Sequence, residues 1–563
     1  MIEKLAAVRL VILLVSTLCA GAAHGGDAPT TAPASAAFVD GLLRAFAADA
    51  AKPRTPITLG EAVVTAVANN PGVLARRREP ESAAFGVLGA ESVYEPKIRV
   101  DFAYADRKIP TSDLLQGVEG GQLGDPREDD EYLADVTLSK TLRSGTEVEL
   151  LWQNARRTTN SSFEAFSPSF QPSVGVGVAQ PLLRDFGGMS ARTTVELAEK
   201  TSFRTAAEYE AALADFVLEV VESYWAFNLA EAELAAKQRS FELAKELATE
   251  ARARVQIGSL PPVAAKEAES DAAARDEEVI AARNELELRA RALQYKIMLG
   301  GAHTAAPASV RPGQAHTVEA VPLDAATSLA RAVEERAEAR AARLEIDSAK
   351  LDEKLAKNFL LPSLDVVGRY DIVGLGGRDN PDFVPPGGGT VDPSGRSETD
   401  AFGDSYDVLE NADFFRYRIG VELEVPLSNA EARSRHAQAT IAVRRAEDAL
   451  RATVSDIALD IQQAVGDVAS AYKRVGAAKL SRELAEQNLA DQKKRYEVGI
   501  VTTTDILDFQ EKATNAMAAE ARAIADHATA IAELRRAEGT LLPHYGVRVE
   551  FADRPGKEWW SRF

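Results

Sequence analysis

Lys97-Ile98-Arg99-Val100-Asp101-Phe102-Ala103-Tyr104 alternates apolar side chains with charged or small ones from the residue after Pro96. A strand points successive side chains to opposite faces, so this run is a strand with one apolar and one charged face. The pattern returns at Ser363 to Tyr370, where Leu364, Val366, Gly368 and Tyr370 alternate with Ser363, Asp365, Val367 and Arg369. Pro71, Pro96 and Tyr104 are matched by Ala337, Pro362 and Tyr370, each 266 residues later, and Gly175 and Pro181 by Gly420 and Pro426, 245 later. The chain is therefore two halves built on one plan.

Around each strand the same elements recur. An Ala/Glu/Arg-rich helical stretch precedes it, Leu59 to Val93 and Leu323 to Leu360, and stops at the proline. A returning strand closes each insertion. Val174, Val176 and Val178 alternate with glycines, and Tyr417, Ile419, Val421, Leu423 and Val425 alternate with Arg416, Arg418, Glu422 and Glu424. The first half alone carries a further candidate hairpin, Tyr132 to Leu142 and Thr146 to Arg156, which is read equally well as part of the wall or as an extended loop.

Beyond Pro426 the period changes. Ala446, Leu450, Val454, Ile457, Ile461, Val465, Val468, Tyr472 and Val475 are spaced by threes and fours, the stripe of an amphipathic or coiled-coil helix, and no proline interrupts Asn429 to Glu497. Leu213, Val217, Val220, Tyr224 and Phe227 give the first half the same rhythm. Each rod ends at a glycine turn, Gly258 or Gly499, and a second helix returns.

Composition narrows the class. With 65 Lys+Arg against 85 Asp+Glu the chain carries a net charge of -20, which excludes nucleic acid as a partner. One cysteine, Cys19, and six histidines without metal-site spacing offer neither a disulfide framework nor a metal centre, and no cofactor is expected. Aromatics at 6% are poor material for several thick globular cores. Residues 1–23 carry Lys4 and Arg9, the apolar run Leu10 to Leu18 and small residues for cleavage, as a secretory signal peptide does. The expected organisation is a flexible lead-in at 24–57, a first repeat at 58–298 with barrel strands across 97–179, a linker at 299–321, a second repeat at 322–541 with strands across 363–425, and a tail at 542–563. Export and two-faced strands of barrel-wall length favour an outer-membrane barrel with Ile98, Val100, Phe102, Tyr104, Tyr417, Ile419, Val421 and Leu423 toward lipid. Loops at 109–131 and 374–413 would face the outside. Four strands cannot close alone, because the smallest membrane barrels have about eight, so several chains must share one barrel. The fold class is thus mainly α with a transmembrane β-barrel: long helical coiled-coil hairpins plus four or more strands per chain.

These residues resemble the TolC-type outer membrane channels of efflux pumps and type I secretion systems. The resemblance runs from about Thr58 to Leu542 and rests on Thr58-Leu59-Gly60-Glu61-Ala62 with Asn69-Asn70-Pro71, on Gln180-Pro181-Leu182-Leu183 and Val425-Pro426-Leu427, and on Arg495-Tyr496-Glu497-Val498-Gly499 followed by Asp505-Ile506-Leu507-Asp508. It implies a homotrimer, a 12-stranded barrel with two strands per repeat, and a periplasmic tunnel whose tip meets an adaptor (membrane fusion) protein and an inner-membrane pump. Export of small molecules or proteins follows, not catalysis. It also implies a periplasmic gate at Asp505, Asp508 and Tyr496, with Glu267 contributing charge, and adaptor contact at Gly258 and Gly499. Six carboxylates on one axis would select cations and have raised pKa values; ordinary helix-start carboxylates are the other reading of the same pair. The chain departs from the pattern at Val501, where a basic latch residue can occur, and at Ala264, where an acidic partner can. The alternative for the whole chain is a periplasmic coiled-coil scaffold without a barrel.

Overall fold

The computed structural model describes residues 55–110, 126–297, 310–312, 318, 324–381, 383, 385, 397–498 and 500–549. The expected signal peptide, nearly all of the lead-in, Gly499, and Trp559, Trp560 and Phe563 at the end of the tail lie outside them.

Two compact units divide the chain. One comprises residues 1–71, 220–317 and 481–525, the other 72–219, 318–480 and 526–563. Long helices belong to both: α3 (Met189–Gln256) and α8 (Ala430–Glu497) each run 68 residues, and each is answered by a 36-residue helix, α4 (Pro262–Ile297) or α9 (Thr503–Glu538). Equal lengths in the two halves are the structural form of the sequence repeat.

In the first unit, α1 (Leu59–Asn69) opens on a capping box in which Thr58 and Glu61 satisfy each other's free amides. A short parallel pair, β1 (Thr55–Ile57) with β6 (Val310–Pro312), is tied to α3 where the buried Tyr224 hydroxyl donates to the Ile57 carbonyl at 3.2 Å. Helices α3 and α9 are cross-linked by polar contacts: Gln510 Nε2 donates to the Ser240 carbonyl at 2.6 Å, and Arg522 pairs with Glu233 at 2.9 Å.

The second unit holds one antiparallel sheet. Its hydrogen-bonded order is β2 (Lys97–Ile109), β3 (Arg127–Thr141), β4 (Glu147–Thr159), β5 (Phe166–Pro181), β7 (Ser363–Val373) and β9 (Phe415–Glu424), with the short β8 (Gly376–Asp379) on β5. Along the six-strand path the first repeat therefore supplies four strands and the second two, with β8 off the path, where the resemblance implied two from each. The extra hairpin joins the sheet: Tyr104 pairs with Tyr132, Tyr132 with Arg156, and Arg156 with Phe170. Registered partners share a face, so Val100, Val136, Trp152, Val174, Ile372 and Phe415 form one apolar row. The opposite face carries Arg369, Asp371 and Arg416, with Arg369 Nε 2.9 Å from Asp371. Gly175 faces that cluster, and a Cβ there would stand 2.0 Å from Asp371 Oδ1, so any larger residue must displace the Asp371 carboxylate.

Part of the 374–413 segment, expected as loop, is ordered structure. Besides β8, α7 (Glu398–Asn411) starts at a Ser397/Asp400 capping box and lies on the apolar side of β4 and β5. There Trp152 Nε1 donates to Tyr406 Oη at 3.1 Å, and Phe402 meets Phe170 edge-on.

The helices of this unit pack on alanine. Ala332 of α5 (Ala325–Glu335), Ala339 of α6 (Ala337–Asn358), Ile457, Ile461, Ala464, Val468 and Ala471 of α8, and Ala530, Leu534 and Ala537 of α9 form one buried cluster. Tyr472, expected in the apolar stripe, is instead 45% exposed beside His527. The buried line passes through Ala464 and Ala471, whose small side chains let neighbouring backbones approach. Arg336, between α5 and α6, is buried and reaches Asp460 and Glu338 at 2.8 Å each, while Arg536 reaches Asp215 at 2.7 Å and Glu338 at 3.4 Å. Five charges thereby join α3, α6, α8 and α9. Burial pushes the Glu338 carboxyl up, but the Arg336 hydrogen bond and the nearby guanidinium groups outweigh it and hold the pKa below its ordinary value.

Candidate gate at the hairpin tips

The gate residues expected from the sequence lie where the long helices turn, in the first unit. Helix α3 ends in a Schellman turn: Ser259 N–H donates to the Arg254 carbonyl at 2.9 Å and Gly258 N–H to that of Val255 at 3.0 Å. Gly258 has a φ of 78°, a left-handed conformation that costs a residue without Cβ little. At the other tip Ile500 N–H donates to the Arg495 carbonyl at 3.0 Å, the same six-residue closure.

Tyr496 is 4% exposed and packs with Leu247, Ile506, Val501 and Leu507. Val501, standing where a basic latch residue can occur, is thus part of this small core. The cation comes from the other hairpin: the Arg254 guanidinium lies 4.6 Å from the Tyr496 ring centre and donates from Nη1 to the Tyr496 carbonyl at 3.4 Å. Glu250 holds Arg254 from one turn earlier at 2.5 Å. The Tyr496 hydroxyl is buried and finds no hydrogen-bond partner among the described residues. Sequence reasoning passed over Arg254, although it stands four residues before Gly258 as Arg495 stands four before Gly499.

Asp505 closes a capping box at the start of α9. Thr502 donates to its Oδ2 from N at 2.8 Å and from Oγ1 at 2.7 Å, and Asp505 N–H returns a bond to Thr502 Oγ1 at 3.3 Å. Within the single chain the Thr502 hydrogen bonds, side chain first, hold its pKa below the ordinary value. Asp508 is exposed one turn further on, and Glu267 accepts from Thr504 Oγ1 at 3.5 Å. The structure thus brings Glu267 to the residues around Asp505, while Ala264 is half-buried and adds no charge. Around the tips, Ile257 (79%), Val498 (69%) and Ile500 (72%) are exposed. Among the described residues no group of three or more His, Cys, Asp or Glu is placed to hold a metal ion.

Solved structures share this fold. They include the CmeC outer membrane channel of Campylobacter jejuni, 16% identical over 86% of each chain with a TM-score of 0.58. VceC of Vibrio cholerae is 14% identical over 85% of this chain and 96% of its own, with a TM-score of 0.59. The open-state MtrE channel of Neisseria gonorrhoeae is 15% identical over 86% and 89%, with a TM-score of 0.56. No curated protein sequence matches the chain. The profile of outer membrane efflux proteins matches residues 143–297 and 329–540, both halves of the plan and more than half of the chain. With its two-faced sheet and paired helical hairpins, the chain belongs to the outer membrane efflux protein family: it is an outer-membrane efflux channel that extends into the periplasm.

Proposed function

We propose that three copies of the chain close one barrel and one helical conduit, and that the conduit's inner tips, gated by Tyr496, Arg254, Asp505, Asp508 and Glu267, receive small molecules through a periplasmic adaptor from an inner-membrane pump. The observation that carries this reading is a sheet apolar across its full width yet open at both edges, in the same chain as 68-residue helices. Helix α7 lies over part of this face at β4 and β5, but the apolar residues of β2 and β9 are exposed in the single chain, and lipid covers them. The eight residues Ile98, Val100, Phe102, Tyr104, Tyr417, Ile419, Val421 and Leu423 share that face and meet the outer-membrane lipid. At the tips, exposed Ile257, Val498 and Ile500, beside the Gly258 turn and the Arg495–Ile500 closure, offer the adaptor an apolar contact. The family's description as efflux proteins favours a pump over a type I secretion system. A periplasmic scaffold would have no use for the uncovered face. Light scattering in detergent is expected to give a trimer; a helical, soluble monomer would refute the reading.

The gate gives two further expectations. Arg254→Ala removes the cation over Tyr496, a contact of about 0.5–2 kcal/mol, and should raise the open fraction of reconstituted channels several-fold while the trimer survives. Replacing Asp505 and Asp508 together with Ala should abolish block by multivalent cations from the periplasmic side and shift selectivity away from cations. Unchanged block and selectivity would leave Asp505 its capping role alone, worth about 0.5–2 kcal/mol of local stability.

A further inference from the structure

We propose that each chain contributes six strands to the shared barrel, so that three chains close a wall of 18. The inference rests on the three-chain reading above and concerns the width of the pore.

The hairpin β3–β4 is the wall itself in this region, since the order of the sheet gives β2 and β5 no pairing of their own. β2 pairs with β3 from Lys97↔Ser139 to Ile109↔Arg127, and β4 with β5 from Glu147↔Ala179 to Arg157↔Ser169. The hairpin also obeys the two-faced rule of its neighbours. Leu138 and Leu150 continue the row that joins Ile98 to Val176, Tyr370 and Tyr417, whereas Asp135 and Gln153 continue the row of Asp101 and Ser173 on the other face. Its turn reaches the foot of the sheet: a Cβ on Gly145 would meet the Gly188 backbone nitrogen at 2.5 Å, just where β5 gives way to α3.

The edges suit closure by a second copy. Every pairing along the path is antiparallel, so with six strands the outermost two, β2 of 13 residues and β9 of 10, run in opposite directions. β9 of one copy is thus antiparallel to β2 of the next, as barrel closure requires.

Aromatic residues record the tilt. The Tyr104 and Tyr132 rings lie 4.7 Å apart, tilted by 40°, on the first two strands, whereas on the last two the aromatic group is Tyr370, Phe415 and Tyr417. Tyr417 lies in the registered row of Ile98, six residues from Tyr104 along β2 and five strand junctions away. With about 3.3 Å per residue and 4.8 Å between strands, a girdle at one depth gives strands tilted about 40°, within the range of membrane barrels. All six strands fit one tilted wall. Barrel diameter grows roughly linearly with strand number, so the opening is about 1.5-fold wider than for 12 strands, in the range where porins hold an aqueous channel. Selection among cargoes then falls to the tips.

Electron cryo-microscopy of the full chain in lipid nanodiscs should show three chains and 18 strands. Three chains around 12 strands, with β3–β4 projecting from the wall, would overturn the proposal and leave the channel reading intact. Any other chain number would overturn the three-chain reading. Independently, in a Cys19→Ser background, a fluorophore on Leu138→Cys or Leu150→Cys should be quenched by chain-brominated lipids to the extent seen at Ile419→Cys. Quenching at 419 with none at 138 and 150 would overturn the six-strand share.

Discussion

Val421→Arg is expected to abolish assembly in the outer membrane, with the protein lost from the heat-sensitive oligomer band of the membrane fraction. Val421 sits on the apolar face of β9, paired with Val366 and exposed. A cationic side chain near the bilayer midplane costs about 2–4 kcal/mol, and the proposed barrel of three copies would meet that cost three times. Its neighbour supplies the control. Glu422 points to the charged face opposite Asp365, so Glu422→Arg should assemble normally and alter only the ionic selectivity of the pore. If Glu422→Arg fails and Val421→Arg assembles, lumen and lipid faces are reversed.

The second large effect is expected at Arg336. Its side chain is 6% exposed and bridges Glu338 and Asp460. Arg336→Met should cost about 3 kcal/mol, the low end for breaking a buried ion pair, because Glu338 and Asp460 keep 33% and 39% of their surface. The reading is a lower urea midpoint by circular dichroism; Arg336→Lys, with charge but no fork, should recover part of the loss. Acid should produce a related weakening. The folded pKa of Glu338 lies below its ordinary 4.5, so its contribution is full above about pH 4.5 and fades as the pH falls toward the folded value. Arg336→Met should flatten that acid limb, and an unchanged one would assign the acid sensitivity to other groups.

What the sequence revealed, and what it hid, follows from the range of the forces involved. The strands at Lys97, Ser363 and Phe415 were legible because each lies half in an apolar medium, which imposes a period of two on the chain. The long helices were legible through spacings of three and four. Tyr472 shows the limit of that signal: one position along the helix, Ala471 takes the buried site, and composition does not rank an alanine above a tyrosine. The place of β3–β4 depends on hydrogen bonds to strands tens of residues away, and local alternation is the same for a wall and a flap. Helix α7 hid behind acids and glycine, since the side it packs on the sheet holds just Ala401, Phe402, Ser405, Tyr406 and Leu409. At the candidate gate, residue types pointed to Tyr496 and Asp505, but the partners Arg254 and Thr502 came from backbone turns. The capping box explains the lowered Asp505 pKa and could have been read from Thr502 and Asp505 standing three apart.

Alanine at the helix contacts has a consequence for how such a protein tolerates change. In a core of leucines, mutations that remove atoms are the dangerous class, because they leave cavities. Where Ala332, Ala339, Ala464, Ala471, Ala530 and Ala537 meet, there is almost nothing to remove, and the risk lies in addition. An extra isobutyl group forces backbones apart at a cost of typically about 1–3 kcal/mol, and on a helix of 68 residues that separation is carried along the axis. Selection on these rods therefore acts as a ceiling on side-chain volume: drift toward glycine or serine passes at the cost of helix propensity alone, while drift toward valine or leucine is purged.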